Sequence, residues 1–336
     1  MKFNSHNRDV TKTVNYEGGQ AYALTPQLSL YSAVVTTMLN DSHYESEDQR
    51  LVRIQELVAQ VDPVFVAKLA VYVREQMYLR SAPVVLLGEL AKVHHGDGLV
   101  GKAVARTVQR PDEITELLSY YQLANGRTGA KKLNRLSKQM QKGLSTAFNK
   151  FDEYQFAKYN RDTAVKLRDA LFLVHPKAKG ETQQAVFDKL VTGTLNTPYT
   201  WETELSALGQ QSFDGPSDKQ LAVRAKWEEL IDSGRLGYMA TLRNLRNMLE
   251  ADVSGDHVEK VCALLADAKA VQKAKQLPFR FLAAYRELKV LPFGHVPILL
   301  EALEDAIYAS TANLRGFAAN TRVVVACDVS GSMQKP

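Results

Sequence analysis

Hydrophobic residues recur at spacings of three and four along almost the whole chain after residue 25. This spacing is typical of amphipathic α-helices, which bury one face and expose the other. Proline after a polar residue, as in Asp62-Pro63 and Arg110-Pro111, marks helix starts, and glycines mark the ends. We predict helices over 26–40, 47–60, 63–79, 82–94, 99–108, 111–124, 130–150, 163–174, 181–193, 200–208, 217–232, 236–250, 255–266, 279–290 and 295–313.

The arrangement of these helices predicts an all-α, helical-repeat fold. They follow one another through short turns, and pairs recur at roughly forty residues, which is typical of helical-repeat solenoids. No repeated sequence is visible, so an irregular globular all-α domain is the alternative.

The two ends of the chain have different patterns. Residues 1–24 are polar, contain Gly18-Gly19, and are predicted to form an N-terminal arm, followed by a helical domain over 25–315. Residues 316–336 contain the apolar run Val323–Ala326, which is typical of a buried parallel strand. We therefore predict that 316–336 is the first strand and loop of an α/β domain.

A candidate metal loop follows that strand. Asp328, Ser330 and Ser332 alternate along the loop, and Gly331 allows it to turn. They offer only hard oxygen atoms, which suit Mg²⁺. A serine-rich turn without metal is the alternative. An octahedral ion needs further ligands, so we expect weak or no binding by this chain alone.

Composition restricts the class of protein. The chain has 336 residues, of which 45% are hydrophobic and 24% charged, as in ordinary globular proteins. Cys262 and Cys327 are the only cysteines, which predicts a reducing, cytoplasmic setting without a disulfide framework. No apolar run is long enough for a membrane span, so no membrane partner is expected.

Positive charge is concentrated in one segment. The chain carries a formal charge of +5, whereas residues 127–179 contain thirteen lysines and arginines against four acids, a local balance of +9. On the predicted helix 130–150, four cations share one face, and the apolar residues lie opposite. These four cations are Lys131, Arg135, Lys138 and Lys142. Such a segment predicts a polyanionic partner, although a solvated helix face is the alternative.

The charged segment continues beyond that helix. Lys150, Lys158 and Arg161 are interleaved with four aromatic residues, a combination that suits phosphates and unstacked bases. The aromatic residues are Phe151, Tyr154, Phe156 and Tyr159. On the next predicted helix, Lys166 points away from the apolar stripe, and Arg168 borders it.

Three segments resemble one known family. Leu236–Leu249, Leu277–Leu282 and Asp328–Met333, in that order, are similar to the Ro autoantigen family, and most of all to bacterial Ro-like proteins with a TROVE domain. The resemblance implies a toroid of HEAT-like repeats closed by a von Willebrand factor type A domain. It also implies that the type A domain is incomplete here, so the chain is either a fragment or is completed by a second chain.

The resemblance further implies site residues. Asp328, Ser330 and Ser332 correspond to the family's metal-ion-dependent adhesion site. It implies binding of small non-coding Y RNAs on the basic outer surface, and of single-stranded 3′ ends of misfolded RNAs in the hole of the ring. The residues that match the family's RNA-contact helices are Lys138, Lys142, Lys166, Arg168 and His175, and only the resemblance includes His175.

These observations favour a non-catalytic ribonucleoprotein scaffold in RNA quality control or processing. An exoribonuclease partner is left open. The alternative is a protein-interaction module that uses the helical array and a Mg²⁺-dependent adhesion loop. An enzyme is not indicated, because no phosphate-binding glycine loop, paired histidine ligands or nucleophile motif occurs in the sequence.

Overall fold

The structure is a computed structural model that describes residues 12–15, 18–36, 47–126, 136–314 and 320–324. These residues form eighteen α-helices and a two-stranded hairpin, which confirms the prediction of a mostly helical protein. The chain divides between Pro198 and Tyr199 into two compact units. Each unit has its own hydrophobic core.

Unit 1 contains the hairpin and ten helices. The strands β1 (Lys12–Val14) and β2 (Gln20–Tyr22) pair antiparallel within the predicted arm, with Thr13 opposite Ala21. The helices are α1 (Pro26–Val35), α2 (Glu47–Gln60), α3 (Pro63–Glu75), α4 (Ser81–Val93), α5 (Leu99–Thr107), α6 (Pro111–Ala124), α7 (Lys138–Phe148), α8 (Glu153–Tyr159), α9 (Leu167–Val174) and α10 (Glu181–Thr192).

The helices of unit 1 alternate between two layers. α1, α3, α5 and α7 contact one another in succession, and α2, α4 and α6 do the same in the second layer. α9 contacts both α6 and α7. This alternation is typical of stacked helical hairpins and supports the helical-repeat prediction.

Two glycines allow α5 and α7 to approach closely. A Cβ atom added at Gly143 would lie 2.7 Å from the Gly101 carbonyl oxygen and 2.7 Å from Val104 Cβ. A Cβ at Gly101 would lie 3.1 Å from the carbonyl oxygen of Gln139. A Cβ at Gly143 would force the two helices apart, and one at Gly101 would crowd the backbone of α7, so the two glycines allow α7 to lie this close to α5.

Unit 2 packs around its last helix. Its helices are α11 (Trp201–Gly209), α12 (Pro216–Asp232), α13 (Tyr238–Arg243), α14 (Leu245–Glu250), α15 (Gly255–Ala266), α16 (Ala268–Ala274), α17 (Pro278–Lys289) and α18 (Val296–Ser310). α18 contacts α15, α16 and α17, and buries Leu299, Leu303 and Ala306 between them.

Several predicted helix boundaries were wrong. Residues 136 and 137 are not helical, and α7 begins at Lys138 instead of residue 130; Ser137 is its N-cap residue, with φ of −52° and ψ of 131°, but its side chain forms no capping hydrogen bond. α9 likewise begins at Leu167 rather than at residue 163. The predicted helix 236–250 is interrupted at Asn244, whose side-chain amide donates to the Ala240 carbonyl oxygen at 2.8 Å.

Two helices were missed. Asp152 and Gln155 form a reciprocal capping box that starts α8, with the Gln155 N–H donating to Asp152 Oδ1 at 2.7 Å. Asp267 caps α16 in a similar way by accepting from the Ala270 N–H. The Asp-x-x-Gln spacing was present in the sequence and could have identified α8.

The C-terminal strand prediction is not supported where the structure describes the chain. Residues 321–324 are not part of a strand, and Val323 and Val324 are 47% and 91% exposed. A buried parallel strand needs a neighbouring strand, and none pairs with these four residues. Val325 and Ala326 lie outside the described residues.

In the described parts of the chain, every helix is too short or too polar to cross a bilayer.

Candidate nucleic-acid interface

The end of α9 is bound to the side of α7. Gln141 Nε2 donates to the carbonyl oxygen of Val174 at 3.2 Å and, at 3.4 Å, to that of Leu173. His175 then ends the helix in a left-handed conformation with φ of 50° and ψ of 56°. Histidine tolerates this region better than most residues, and the following Pro176 disfavours further helix.

The chain after His175 continues along α7. Asn149, at the end of α7, donates from Nδ2 to the Lys177 carbonyl oxygen at 2.9 Å and accepts from the Lys179 N–H at 2.8 Å. Residues 141 and 149 are about 12 Å apart along a helix axis. The segment 175–179 is thus held beside the outer face of α7 at both ends.

This arrangement brings four exposed cationic or titratable side chains together, which we call the basic strip. Its members are Lys138, Lys142, His175 and Lys177. Among the described residues, neither Lys142 nor Lys177 forms an ion pair, and Lys138 bonds only to the neutral Gln141 amide at 3.4 Å. The strip therefore presents uncompensated positive charge. Lys177 was not among the predicted site residues.

The exposed face of α9 lies next to the basic strip and shares His175 with it. Arg168, Phe172 and His175 are spaced by four and three residues, so they lie on one side of the helix. The Arg168 guanidinium lies 5.8 Å from the centre of the Phe172 ring, which is 47% exposed. Arg168 is exposed, and Phe172 beside it is a candidate contact residue that was not among the predicted site residues. Helical spacing from His175 could have identified it.

Lys150 does not belong to the strip. Its Nζ donates to the carbonyl oxygens of Ala105 and Val108 at the end of α5, the latter at 2.7 Å. Burial lowers the pKa of Lys150, and the charges of Glu113 and Glu75 oppose this shift. The amine completes the C-terminal hydrogen bonding of α5, which gives Lys150 a structural role, and its RNA contact stays a prediction.

Substitution of Lys150 separates these two roles. In Lys150→Met the methylene stem remains, but the carbonyl oxygens of α5 lose their charged donor, and we expect a loss of about 1 kcal/mol in unfolding free energy. RNA affinity should stay within about twofold of the wild type. Urea denaturation measures the unfolding free energy, and titration of the same preparation with RNA measures the affinity. A large loss of affinity in a fully folded variant would show that Lys150 contacts RNA.

Lys166 is exposed but forms an ion pair. Lys166 Nζ forms an ion pair with Asp162 Oδ1 at 2.6 Å, and this hydrogen bond raises the pKa of Lys166 and lowers that of Asp162. The paired charge is less available to a polyanion. Phe151 and Phe156 are buried, and Phe156 packs at 6.0 Å from Phe148, so they cannot stack on bases.

Lys158 and Arg161 remain exposed, as predicted. Lys158 Nζ lies 5.6 Å from the centre of the Tyr154 ring and 5.9 Å from that of Tyr159. Tyr154 is 45% exposed. These aromatic rings, unlike those of Phe151 and Phe156, can be reached from solvent.

Five predicted site residues lie outside the described residues. They are Lys131 and Arg135 of the basic segment and Asp328, Ser330 and Ser332 of the metal loop. The RNA-contact and magnesium assignments of these residues stay predictions. Within the described ranges, no three histidine, cysteine or acidic side chains are grouped so that they could hold a metal ion.

Comparison with known proteins identifies the family. Residues 23–202 and 193–291 match the TROVE domain, and the two matches overlap beside the boundary between the units. Telomerase protein component 1 of Rattus norvegicus is 27% identical over 303 residues, which cover 69% of this chain and 11% of that protein. The Mus musculus protein is 26% identical over 313 residues, with 72% and 12% covered. The chain thus spans about a tenth of these curated relatives.

One solved structure has a similar fold. The crystal structure of the Deinococcus radiodurans RO (RSR) protein superposes with a TM-score of 0.57 at 18% sequence identity. The match covers 87% of this chain and 65% of that chain. At this identity the likeness shows the fold alone.

Proposed function

The chain belongs to the TROVE domain family, a family of RNA-binding ribonucleoproteins, and we propose that its basic strip binds the backbone of a small structured RNA. The observation that carries this proposal is that Lys142 and Lys177 are exposed, form no ion pair with any described residue, and lie on two segments that hydrogen bonds hold side by side. The strip runs along α7 from Lys138 to Lys177 beside Asn149, about 16 Å, which corresponds to about four or five nucleotides of a strand.

The chemistry of the strip favours phosphates over bases. Lysine is a flexible point charge that binds phosphate without reading sequence. Phe172 and Arg168 lie beside the strip and offer a stacking surface for an unpaired base. We therefore propose a scaffold that holds a Y RNA-like molecule through its backbone and contacts single-stranded parts of misfolded RNAs nearby.

Neutralising the strip should weaken RNA binding and reduce its dependence on salt. For the triple variant Lys138→Gln, Lys142→Gln and Lys177→Gln, we expect the slope of log affinity against log salt to become shallower by roughly 2–2.7, because each phosphate contact contributes about 0.7–0.9. Affinity itself should fall tenfold or more. Fluorescence anisotropy with a labelled RNA hairpin between about 50 and 200 mM KCl measures both quantities.

A matched control changes net charge equally at another place. Lys219, Lys269 and Lys273 are exposed lysines of unit 2, and the triple glutamine variant at these positions should leave slope and affinity nearly unchanged. An equal loss in both triple variants would mean that only whole-chain charge matters, and this would contradict the assignment to the strip.

A further inference from the structure

A cleft in unit 1 lies between α4, α6 and the segment 159–167. A cavity of about 370 Å³ and a smaller one of about 90 Å³ share Thr115, Glu116 and Thr163, so they form one continuous cleft. The larger part is also lined by Leu51, Ser81, Val84, Val85, Ser119, Tyr120 and Leu123. Its volume falls within the range of small-molecule sites in proteins.

Tyr120 gives the cleft a rigid aromatic wall. One side of its ring lies against Gly88, where an added Cβ would be 2.5 Å from the ring carbon Cδ1. Its hydroxyl donates to Glu89 Oε1 at 2.7 Å and accepts from Gln55 Nε2 at 3.2 Å. Because backbone and hydroxyl contacts both hold the ring, a ligand that stacks on it need not order it first.

Glu116 places a hydrogen-bond acceptor beside this apolar surface. Its Oε1 pairs with Arg80 Nη2 at 3.1 Å, while the carboxylate side chain remains 44% exposed. Burial raises the pKa of Glu116, and the positive charge of Arg80 opposes this shift. A carboxylate in such a place accepts from amino groups, including the N4 amino group of cytosine.

The other end of the cleft is lined by Arg161 and by Asp112, whose carboxylate is already paired with Arg80 and Arg110. Arg161 lines the smaller cavity and, among the described residues, forms no ion pair. Leu167 also lines that cavity and begins α9, whose exposed face carries Arg168 and Phe172. The eight residues of α9 span about 12 Å, so this face connects the cleft with the basic strip over a few nucleotides.

We propose that the cleft receives one unpaired nucleotide of an RNA bound at the basic strip. The base stacks on Tyr120, its amino group donates to Glu116, and its phosphate lies near Arg161. Single-stranded loops and bulges offer such bases, and aromatic side chains bind them by stacking. This inference rests on the proposed function, because the strip supplies the rest of the binding free energy.

Filling the cleft tests the proposal. Ser119→Leu places a larger side chain in the larger cavity, and Gln122→Leu is the control, because it changes the same helix at a position outside the lining. The probes are an RNA hairpin with a three-cytidine bulge in its stem and the same hairpin without the bulge. For Ser119→Leu we expect roughly tenfold weaker binding of the bulged RNA, as for one lost stacked base, and no change with the fully paired RNA.

The result separates this inference from the function on which it rests. Loss of binding to both RNAs in the strip variant, with a selective loss in Ser119→Leu, supports both proposals. If Ser119→Leu binds the bulged RNA as well as the wild type does, or loses both RNAs equally, the nucleotide site is wrong even when the strip result holds. Circular dichroism checks that each variant is folded.

Glu116→Gln provides a second, smaller change. The wild type should bind a cytidine bulge several-fold more tightly than a uridine bulge, and Glu116→Gln should remove this preference, because an amide no longer presents two acceptor oxygens.

Titration with free cytidine monophosphate distinguishes a nucleotide of an RNA strand from a free nucleotide as the ligand of the cleft. If the free nucleotide binds more tightly than the bulged RNA, the assignment to an RNA strand is overturned.

Discussion

Replacement of Arg74 with methionine should destabilise the protein by about 3–5 kcal/mol. Arg74 Nη2 and Glu113 Oε1 are 2.7 Å apart, and their side chains are only 9% and 3% exposed. Removal of one partner leaves the other charge buried, which costs much more than loss of an exposed pair. Glu113 retains the Gln109 N–H at 2.8 Å and Arg80 at 3.6 Å, so we expect a value near the lower end.

Urea denaturation followed by far-ultraviolet circular dichroism measures this loss. The control is Arg106→Met, which removes an arginine that is paired with Glu75 at 2.6 Å but is 65% exposed, and its effect should be much smaller. The double variant Arg74→Met with Glu113→Gln should recover part of the loss, because it removes the isolated charge. If Arg74→Met and Arg106→Met lowered the unfolding free energy equally, the buried ion pair would contribute no more to stability than the exposed one.

Gly143→Ala should destabilise the protein by about 2 kcal/mol, although alanine is the better helix former by about 1 kcal/mol. The new methyl group would meet the Gly101 carbonyl oxygen and Val104 Cβ at 2.7 Å each. The carbonyl belongs to the backbone of α5, so it cannot rotate away, and α7 has to move. Because α7 carries Lys138 and Lys142, the affinity for RNA should fall as well.

Thr146→Ala is the control for this substitution, since Thr146 is exposed on the same helix. Its unfolding free energy should stay within about 0.5 kcal/mol of the wild type, and its RNA affinity should not change. The comparison uses urea denaturation and the anisotropy assay on the full chain. A Gly143→Ala variant as stable as the wild type would show that α5 and α7 separate without cost, which the close crossing argues against.

Local sequence determined most helices and many of their ends. Spacings of three and four residues indicate helix whatever the rest of the chain does, so the predicted helices 63–79, 82–94 and 111–124 correspond to α3, α4 and α6. Proline at Pro63 and Pro111 started helices where predicted, because its fixed backbone angle suits a first turn. The concentration of cations in 127–179 was also visible without a structure.

The tertiary structure decided which cations are available to a ligand. Lys142 and Lys150 look equivalent in the sequence, but Lys150 donates to carbonyl oxygens more than forty residues away, and Lys142 has no such partner among the described residues. Lys177 lies near Lys142 only because Gln141 and Asn149 hydrogen-bond the end of α9 and the segment after it to α7. Charge is a local property of the sequence, whereas its compensation depends on contacts between distant residues, and only the folded chain determines these.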